Sequence, residues 1–338
     1  MQKSRHEKLL VIQPFNNSRY RRFKSGVILT LKQHHYRVQS GYSITGEAPK
    51  QFLRVYERGS CRKANVRTWP LYIAKTAKKW YPTESIMEYA LNQLGQCWGL
   101  DMAHSRLVWA GGQIRFLSRY FLHRKYSELV HGADILTAYF NDQTLVQEIE
   151  QHGWERELVT VQLFSEALLS VFPEHHSQLL ADFVRMLLFD ALVGNYDRHF
   201  YNYGIVRDLT GRQAPYFSPV YDTARGLFWN TPEARLVALH RKPQEAEEFL
   251  RKYVRKSQPK IGWEGQANIT HFDLVRLIAS TETGLSRAAV SEFFQPSSLT
   301  ASLHLLDTRF TGLLGPERID FMKRCLQARF TTILDILC

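Results

Sequence analysis

Cysteine is scarce in this chain. Cys61, Cys97, Cys325 and Cys338 are scattered over 338 residues, with no C-x-x-C pair and no metal-like spacing. That excludes a disulfide-stapled scaffold or a zinc module and fits a reducing compartment, so a cytoplasmic location is expected. Long apolar runs are also missing. The richest stretch, Phe183-Val184-Arg185-Met186-Leu187-Leu188, is interrupted by a charge and falls far short of the roughly 18 to 20 residues that span a bilayer. The basic segment Met1 to Phe15 has neither the apolar centre nor the small-residue cleavage site of a signal peptide. No Gly/Ser/Pro tract, low-complexity segment or internal repeat occurs, which removes disorder as the default reading.

What is present is a folding chain of basic character. Hydrophobic residues make up 44% and aromatics 13%, enough for one sizeable core or two packed lobes. Lys and Arg number 44 against 32 Asp and Glu, a formal charge of +12 that favours polyanionic partners without choosing among them. The cations are densest at Arg19-Tyr20-Arg21-Arg22-Phe23-Lys24 and from Arg251 to Lys256. A solvated charged face and an anion-binding surface both remain open for them.

The first third reads as short strands and turns. Gly26–Leu31 is apolar and β-branched, Phe52–Tyr56 alternates, and Leu71–Lys75 forms another short strand. Pro82-Thr83-Glu84-Ser85 opens a helix that Ile86, Tyr89, Ala90 and Leu94 continue, ending near Gly95 or Gly99. Leu107–Ala110 and Ile114–Leu117 flank Gly111-Gly112 as a hairpin. From about Tyr126 the pattern turns helical, and Leu179 to Leu192 keeps a 3.6-residue period that runs into Gly194-Asn195. Further helices follow Ala246 and Thr270 and occupy the C-terminus from Glu317. The expected class is α+β, with a β-rich lobe over 1–125 and a mostly helical lobe over 126–338.

Within this frame lie the parts that phosphoryl transfer requires. In protein kinases a base Asp and a metal-binding Asn form D-x-x-x-x-N, and a second metal Asp follows. Asp197 and Asn202 have that spacing, and Asp222 in Val220-Tyr221-Asp222-Thr223 is the candidate second ligand. Alone, the pattern is expected about once by chance in a chain of this length. Its setting adds weight. It follows a long apolar helix and gathers Asn195, Asp197, Arg198, His199 and Asn202, polar groups that are costly to bury without a purpose. Ile205-Val206 and Tyr216-Phe217, on either side of Gly211, form a hairpin that delivers Asp222 to the same place. Lys75 at a strand end and Glu88 on the next helix match the ion pair that organises nucleotide phosphates, with Glu84, Lys78 and Lys79 as competitors.

In these features the sequence resembles the HipA-like serine/threonine kinases. Ser43-Ile44-Thr45-Gly46-Glu47-Ala48-Pro49-Lys50 is similar to their phosphate loop, and Ser118-Arg119-Tyr120 to their hinge. Asp197-Arg198-His199-Phe200-Tyr201-Asn202 and Pro219-Val220-Tyr221-Asp222 carry the two most specific motifs. The resemblance implies a bilobal protein-kinase-like fold that uses ATP and Mg²⁺. Asp197 would be the base and His199 an orienting residue, with Asn202 and Asp222 holding the metal. Ser43, Gly46, Lys50, Lys75 and Glu88 would serve the phosphates, and the backbone of Ser118, Arg119 and Tyr120 the adenine. Ser43 would be an autophosphorylation site, since phosphate charge there opposes nucleotide binding.

By the same resemblance the chain is a short form without the extra N-terminal subdomain. Its implied substrate is a protein of translation, such as an aminoacyl-tRNA synthetase or translation factor, and its implied partner an antitoxin. Two alternatives stay open. Asp197-Arg198-His199 also fits phosphatidylinositol-type lipid kinases, although Tyr221-Asp222-Thr223 differs from their second metal motif. Tyr20 to Phe23, aromatics among cations, also suit a nucleic-acid-binding module, although no known nucleic-acid motif accompanies them.

Overall fold

The computed structural model describes residues 28–40, 50–77, 83–122, 126–281 and 287–337. Six strands form the first sheet: β1 (Ile28–Thr30), β2 (Tyr36–Gln39), β3 (Lys50–Val55), β4 (Leu71–Thr76), β5 (Ser105–Ala110) and β6 (Gln113–Arg119). Their order is β1-β5-β6-β4-β3-β2, with β1 parallel to β5 and every other pair antiparallel. The expected β5–β6 hairpin forms, and Gly111 and Gly112 turn it at φ +60° and +78°, a region glycine enters without steric cost.

Helix α1 (Glu84–Cys97) crosses between β4 and β5, and every residue from Glu84 to Gly95 is buried. A helix buried on all sides must be covered on all sides. The sheet covers one face. The other is held by the end of the chain, through α10 (Arg287–Phe293), α11 (Pro296–Arg309) and α12 (Pro316–Leu337). The Trp98 ring lies against Phe293, Phe294 and Phe330, and its Nε1 donates to Ser302 Oγ at 2.9 Å. Arg309 donates to Gln93 Oε1 at 2.6 Å and to the Tyr89 hydroxyl. This is a structural use for a C-terminal stretch whose chemistry the sequence did not reveal.

The second part is mostly helical, with one departure from expectation. Residues Ser127–His131 form β7, a strand, where the sequence pattern had turned helical. It pairs antiparallel with β8 (Gly204–Asp208), which pairs in turn with β9 (Tyr216–Phe217). The partner strand decides the matter, because Ser-Glu-Leu-Val-His is too short to declare a period of its own. Helices α2 (Gly132–Phe140), α3 (Gln143–His152), α4 (Glu155–Leu158), α5 (Val161–Val171) and α6 (His176–Val193) follow β7. Gly194 ends α6 at φ +67°, returning its N–H to the Asp190 carbonyl. Beyond β9 come α7 (Glu233–His240), α8 (Pro243–Lys256) and α9 (His271–Ser280). Trp229 is buried, while Trp263 is half-buried. Among the described residues, no helix is long and apolar enough to cross a membrane.

Candidate active site

The strand register brings the two lysines together. Lys50 and Lys75 are direct partners across β3 and β4, so two ammonium groups share one face of the sheet. Like charges directly opposite each other repel. Here carboxylates answer them. Lys75 Nζ is 2.5 Å from Glu88 Oε1 and 2.9 Å from Asp222 Oδ1, and Lys50 Nζ is 3.5 Å from Asp222 Oδ2. Of the candidate partners, Glu88 makes the pair; Glu84 is buried elsewhere on the helix, and Lys78 and Lys79 lie outside the described residues. Ser43 and Gly46 lie outside them as well.

Burial disfavours the charge on Lys75, but the Asp222 and Glu88 carboxylates outweigh it and raise the amine above its ordinary value. Burial likewise opposes ionisation of Asp222, yet Lys75 and then Lys50 hold its carboxyl well below the usual range. Glu88 is more enclosed. Its burial outweighs the attraction of Lys75 and pushes it up to about 7. Asp222 also sits at φ +54°, a left-handed conformation that costs a non-glycine residue roughly 1 kcal/mol or more.

The Asp197 loop is wired from below. Asp190, a lone carboxylate in the apolar run of α6, takes Arg198 on two oxygens, at 2.8 Å from Nε and 3.1 Å from NH2. Arg198 NH1 then donates to the carbonyls of Asn202 at 3.0 Å and Tyr221 at 2.7 Å. One buried guanidinium therefore ties the loop of Asp197 and Asn202 to the residue preceding Asp222. The Asn202 amide nitrogen donates to the Asp197 carbonyl at 2.8 Å, which leaves the amide oxygen as the acceptor for a cation. Tyr221 donates its hydroxyl to the Tyr201 carbonyl at 3.0 Å and lies 3.1 Å from His131 Nδ1.

Asp197 itself is half-buried. Arg225 Nε stands 3.5 Å from its Oδ2, and the Arg225 guanidinium lies 4.2 Å above the Trp229 ring. Trp229 Nε1 donates to the Tyr196 hydroxyl at 2.6 Å, closing a frame around the carboxylate. Burial raises the Asp197 pKa, with Arg225 and His199 pulling the other way. Burial lowers the His199 pKa, with Asp197 opposing, and this favours a neutral ring. Its Nδ1 faces the Tyr201 N–H at 3.4 Å.

The backbone of the hinge segment is partly engaged within the protein. The Arg119 N–H donates to the His104 carbonyl at 2.8 Å and the Tyr120 N–H to the Leu71 carbonyl at 2.9 Å. The N–H groups of Arg119 and Tyr120 are thus already engaged within the protein. Ser118 is buried in β6 opposite Ile73 and Ser105. Just beyond, the Phe121 ring packs against Tyr221 at 5.9 Å, so the chain after β6 reaches the Asp222 segment.

Asp190 and Arg225 escaped the sequence reading. A single carboxylate among Leu187, Leu188, Phe189, Ala191 and Leu192 was the available signal for Asp190, since a buried charge needs a buried partner. Nothing local marks Arg225.

Residues 42–289 match the HipA-like C-terminal domain, a span of most of the chain. The chain belongs to that family. Its HipA-like fold is similar to the Helicobacter pylori proinflammatory kinase CtkA, with a TM-score of 0.70 and 14% identity, covering 92% of this chain and 96% of that one. It is also similar to a chain of the Shewanella oneidensis MR-1 toxin–antitoxin complex of HipA, HipB and operator DNA. There the TM-score is 0.51 and the identity 16%, covering 88% of this chain and 65% of that one. No curated protein matches the sequence. At such identities the likeness carries the fold, and the chemistry has to be argued from the site.

Proposed function

We propose that this HipA-like chain is an ATP- and Mg²⁺-dependent kinase that phosphorylates a Ser or Thr hydroxyl of a protein. The observation that carries the reading is the meeting of β4, α1 and the Tyr221-Asp222 segment at Lys75. There one ammonium contacts both Glu88 and Asp222, while Arg198 links Asp222 to the Asp197–Asn202 loop. On this reading residues 1–125 make the sheet-bearing lobe and residues 126–338 the helical lobe.

The donor set fits a hard cation. Asp222 offers a carboxylate and Asn202 an amide oxygen, while among the described residues no cluster of three or more His, Cys, Asp or Glu gathers. So few protein oxygens suit Mg²⁺, which keeps waters and substrate phosphate oxygens in its shell. Asp222 and Asn202 would hold such an ion, which would supply positive charge against the nucleotide phosphates. Lys75 and Lys50 contact the same phosphates, and Glu88 holds Lys75 in place. With the Arg119 and Tyr120 N–H groups engaged, the backbone just after Tyr120 takes the adenine edge. Asp197 accepts the proton of the acceptor hydroxyl as that oxygen bonds to the γ-phosphorus. The bond from the γ-phosphorus to the β–γ bridging oxygen breaks, and ADP departs. Arg225 and His199 orient the Asp197 carboxylate.

The Shewanella neighbour comes from a toxin–antitoxin complex with HipB, which supports a reading of this chain as the toxin of such a pair. By the sequence resemblance its target is a protein of translation, its place the cytoplasm, and Ser43 its self-phosphorylated residue. Radiolabelled ATP given to the purified protein with cell lysate, and separately with phosphatidylinositol vesicles, tests the activity. Label is expected in protein and lowered about 10²-fold with Asp197→Asn. Label in lipid alone overturns the reading.

A further inference from the structure

The positive charge of this chain is not spread over it. Residues 1–125 contain 23 Lys and Arg against 6 Asp and Glu, while residues 126–338 contain 21 against 26. The first part thus carries more than the whole excess of +12. Part of it lies on the connection between β3 and β4, residues 56–70. Arg58, Arg62, Lys63 and Arg67 are all exposed there. The connection's one carboxylate, Glu57, is occupied, 3.2 Å from Arg106 and accepting from the Tyr72 hydroxyl.

This connection is built rather than loose. Trp69 is buried and donates its Nε1 to the Arg62 carbonyl at 2.9 Å. The Arg62 N–H donates to Thr68 Oγ1, and the Arg67 N–H to Asn65 Oδ1, each at 3.1 Å. These bonds use the backbone atoms of Arg62 and Arg67, so the guanidinium groups are not what holds the fold. A second basic turn is pinned alongside. The Tyr56 N–H donates to the His35 carbonyl at 2.8 Å, and the His35 ring lies 6.0 Å from Tyr56. Exposed Lys32 and His34 flank it, and Arg37 reaches over the Trp69 ring at 5.9 Å. Burial lowers the His35 pKa, and His34, Lys63 and Lys32 lower it further, so these cations converge on one region.

We propose that this face, the β3–β4 connection with the Lys32–Arg37 turn, docks the phosphodiester backbone of a nucleic acid. Its chemistry is cations and exposed polar groups on a fixed frame, the combination that grips phosphates irrespective of sequence. A membrane surface or a protein interface draws on exposed apolar side chains. Among the described residues from 28 to 77, Leu29 is the sole large apolar side chain that is strongly exposed, at 52%. The face is also separate from the candidate active site. β3 leads away from Lys50 and β4 returns to Lys75, which places the connection about 15 Å from the lysines at ~3.3 Å per residue.

The test is fluorescence anisotropy of the full chain with labelled duplex DNA and, separately, single-stranded RNA, titrated in salt from about 50 to 200 mM. The variant carries Arg58→Gln, Arg62→Gln, Lys63→Gln and Arg67→Gln together, and its melting temperature checks folding. A second variant, Arg251→Gln with Arg255→Gln, removes exposed charge from α8. The wild type is expected to bind at low salt. The fourfold variant should weaken binding at least tenfold and flatten the slope of log K against log salt, by roughly 3 to 4 for duplex and about 3 for single strands. The α8 variant should keep the wild-type slope. Absence of wild-type binding at low salt, equal loss in both variants, or binding to phosphatidylserine vesicles alone overturns the proposal.

Discussion

Asp222 stands between two lysines, whereas Asp197 meets one arginine at the edge of its contact range. Both carboxylates are partly withdrawn from water, and burial acts to raise the pKa of each. For Asp222 the lysines win and the group stays ionised; for Asp197 the opposing charges are too weak and the group is left more basic. An anion held firmly is suited to a metal, and one held loosely with a raised pKa is suited to taking a proton. The contrast teaches that neighbouring strands and loops, rather than the residue type, set the charge state of two aspartates.

The largest break in that comparison is expected from Asp222→Asn. It removes the carboxylate proposed to hold the metal and leaves Lys50 and Lys75 without it, so turnover should fall on the order of 10³- to 10⁴-fold, read as single-turnover transfer rates over a Mg²⁺ series. Arg198→Met cuts the link that both aspartates share. It strands Asp190 in the core, and urea unfolding should record a loss of about 3 kcal/mol or more. Adding Asp190→Leu to that variant should recover part of the loss, because no lone charge then stays buried.

Asp197→Asn should lower transfer by about 10²-fold while ATP affinity, measured by calorimetry, stays within a few fold. Retained transfer would remove Asp197 as the base. The same two asparagine variants sharpen the comparison in stability. A carboxyl whose pKa is lowered by folding stabilises above its unfolded value near 3.9, and that contribution is lost as pH falls through the folded value. A carboxyl whose pKa is raised acts with the opposite sign and weighs against the fold once pH is above it. At neutral pH, Asp222→Asn should therefore destabilise by about 1 to 2 kcal/mol, and Asp197→Asn should be neutral or slightly stabilising. Equal losses in the two would erase the distinction. The smallest effect is expected from Arg225→Ala. It lowers activity about threefold to tenfold and, by removing an attraction for the ionised Asp197, moves the acid limb of the pH–rate profile to higher pH.

Much of this molecule was legible along the chain wherever one segment carries its own instruction. The Gly111-Gly112 turn between two apolar runs specifies a hairpin, and the period of Leu179 to Leu192 stopping at Gly194 specifies α6. Lys75 and Glu88 could be nominated from the order of strand and helix, and their 2.5 Å contact follows from β4 and α1 being adjacent. Strand β7 was illegible because its reason for existing is β8, more than seventy residues away. The hinge was legible as a place but not as a bonding pattern, since the carbonyls that take the Arg119 and Tyr120 N–H groups belong to His104 and Leu71.

By itself, then, the sequence determined the α+β class, the resemblance that the family match bears out, and a short roster of residues for the chemistry. Tertiary structure alone decided that Arg198 serves two loops, that Arg225 faces Asp197, and that the C-terminal helices clamp α1. The same holds for the bend after Asp222, where Leu227 and Phe228 take φ of +47° and +63° while wholly buried. Arg318 holds that bend by donating to the carbonyls of Phe228 and Thr231. The physical reason is range. Backbone preference and hydrophobic period act over a few residues, whereas the partner of a buried charge, or of a strained turn, is fixed by which surfaces meet when the core closes.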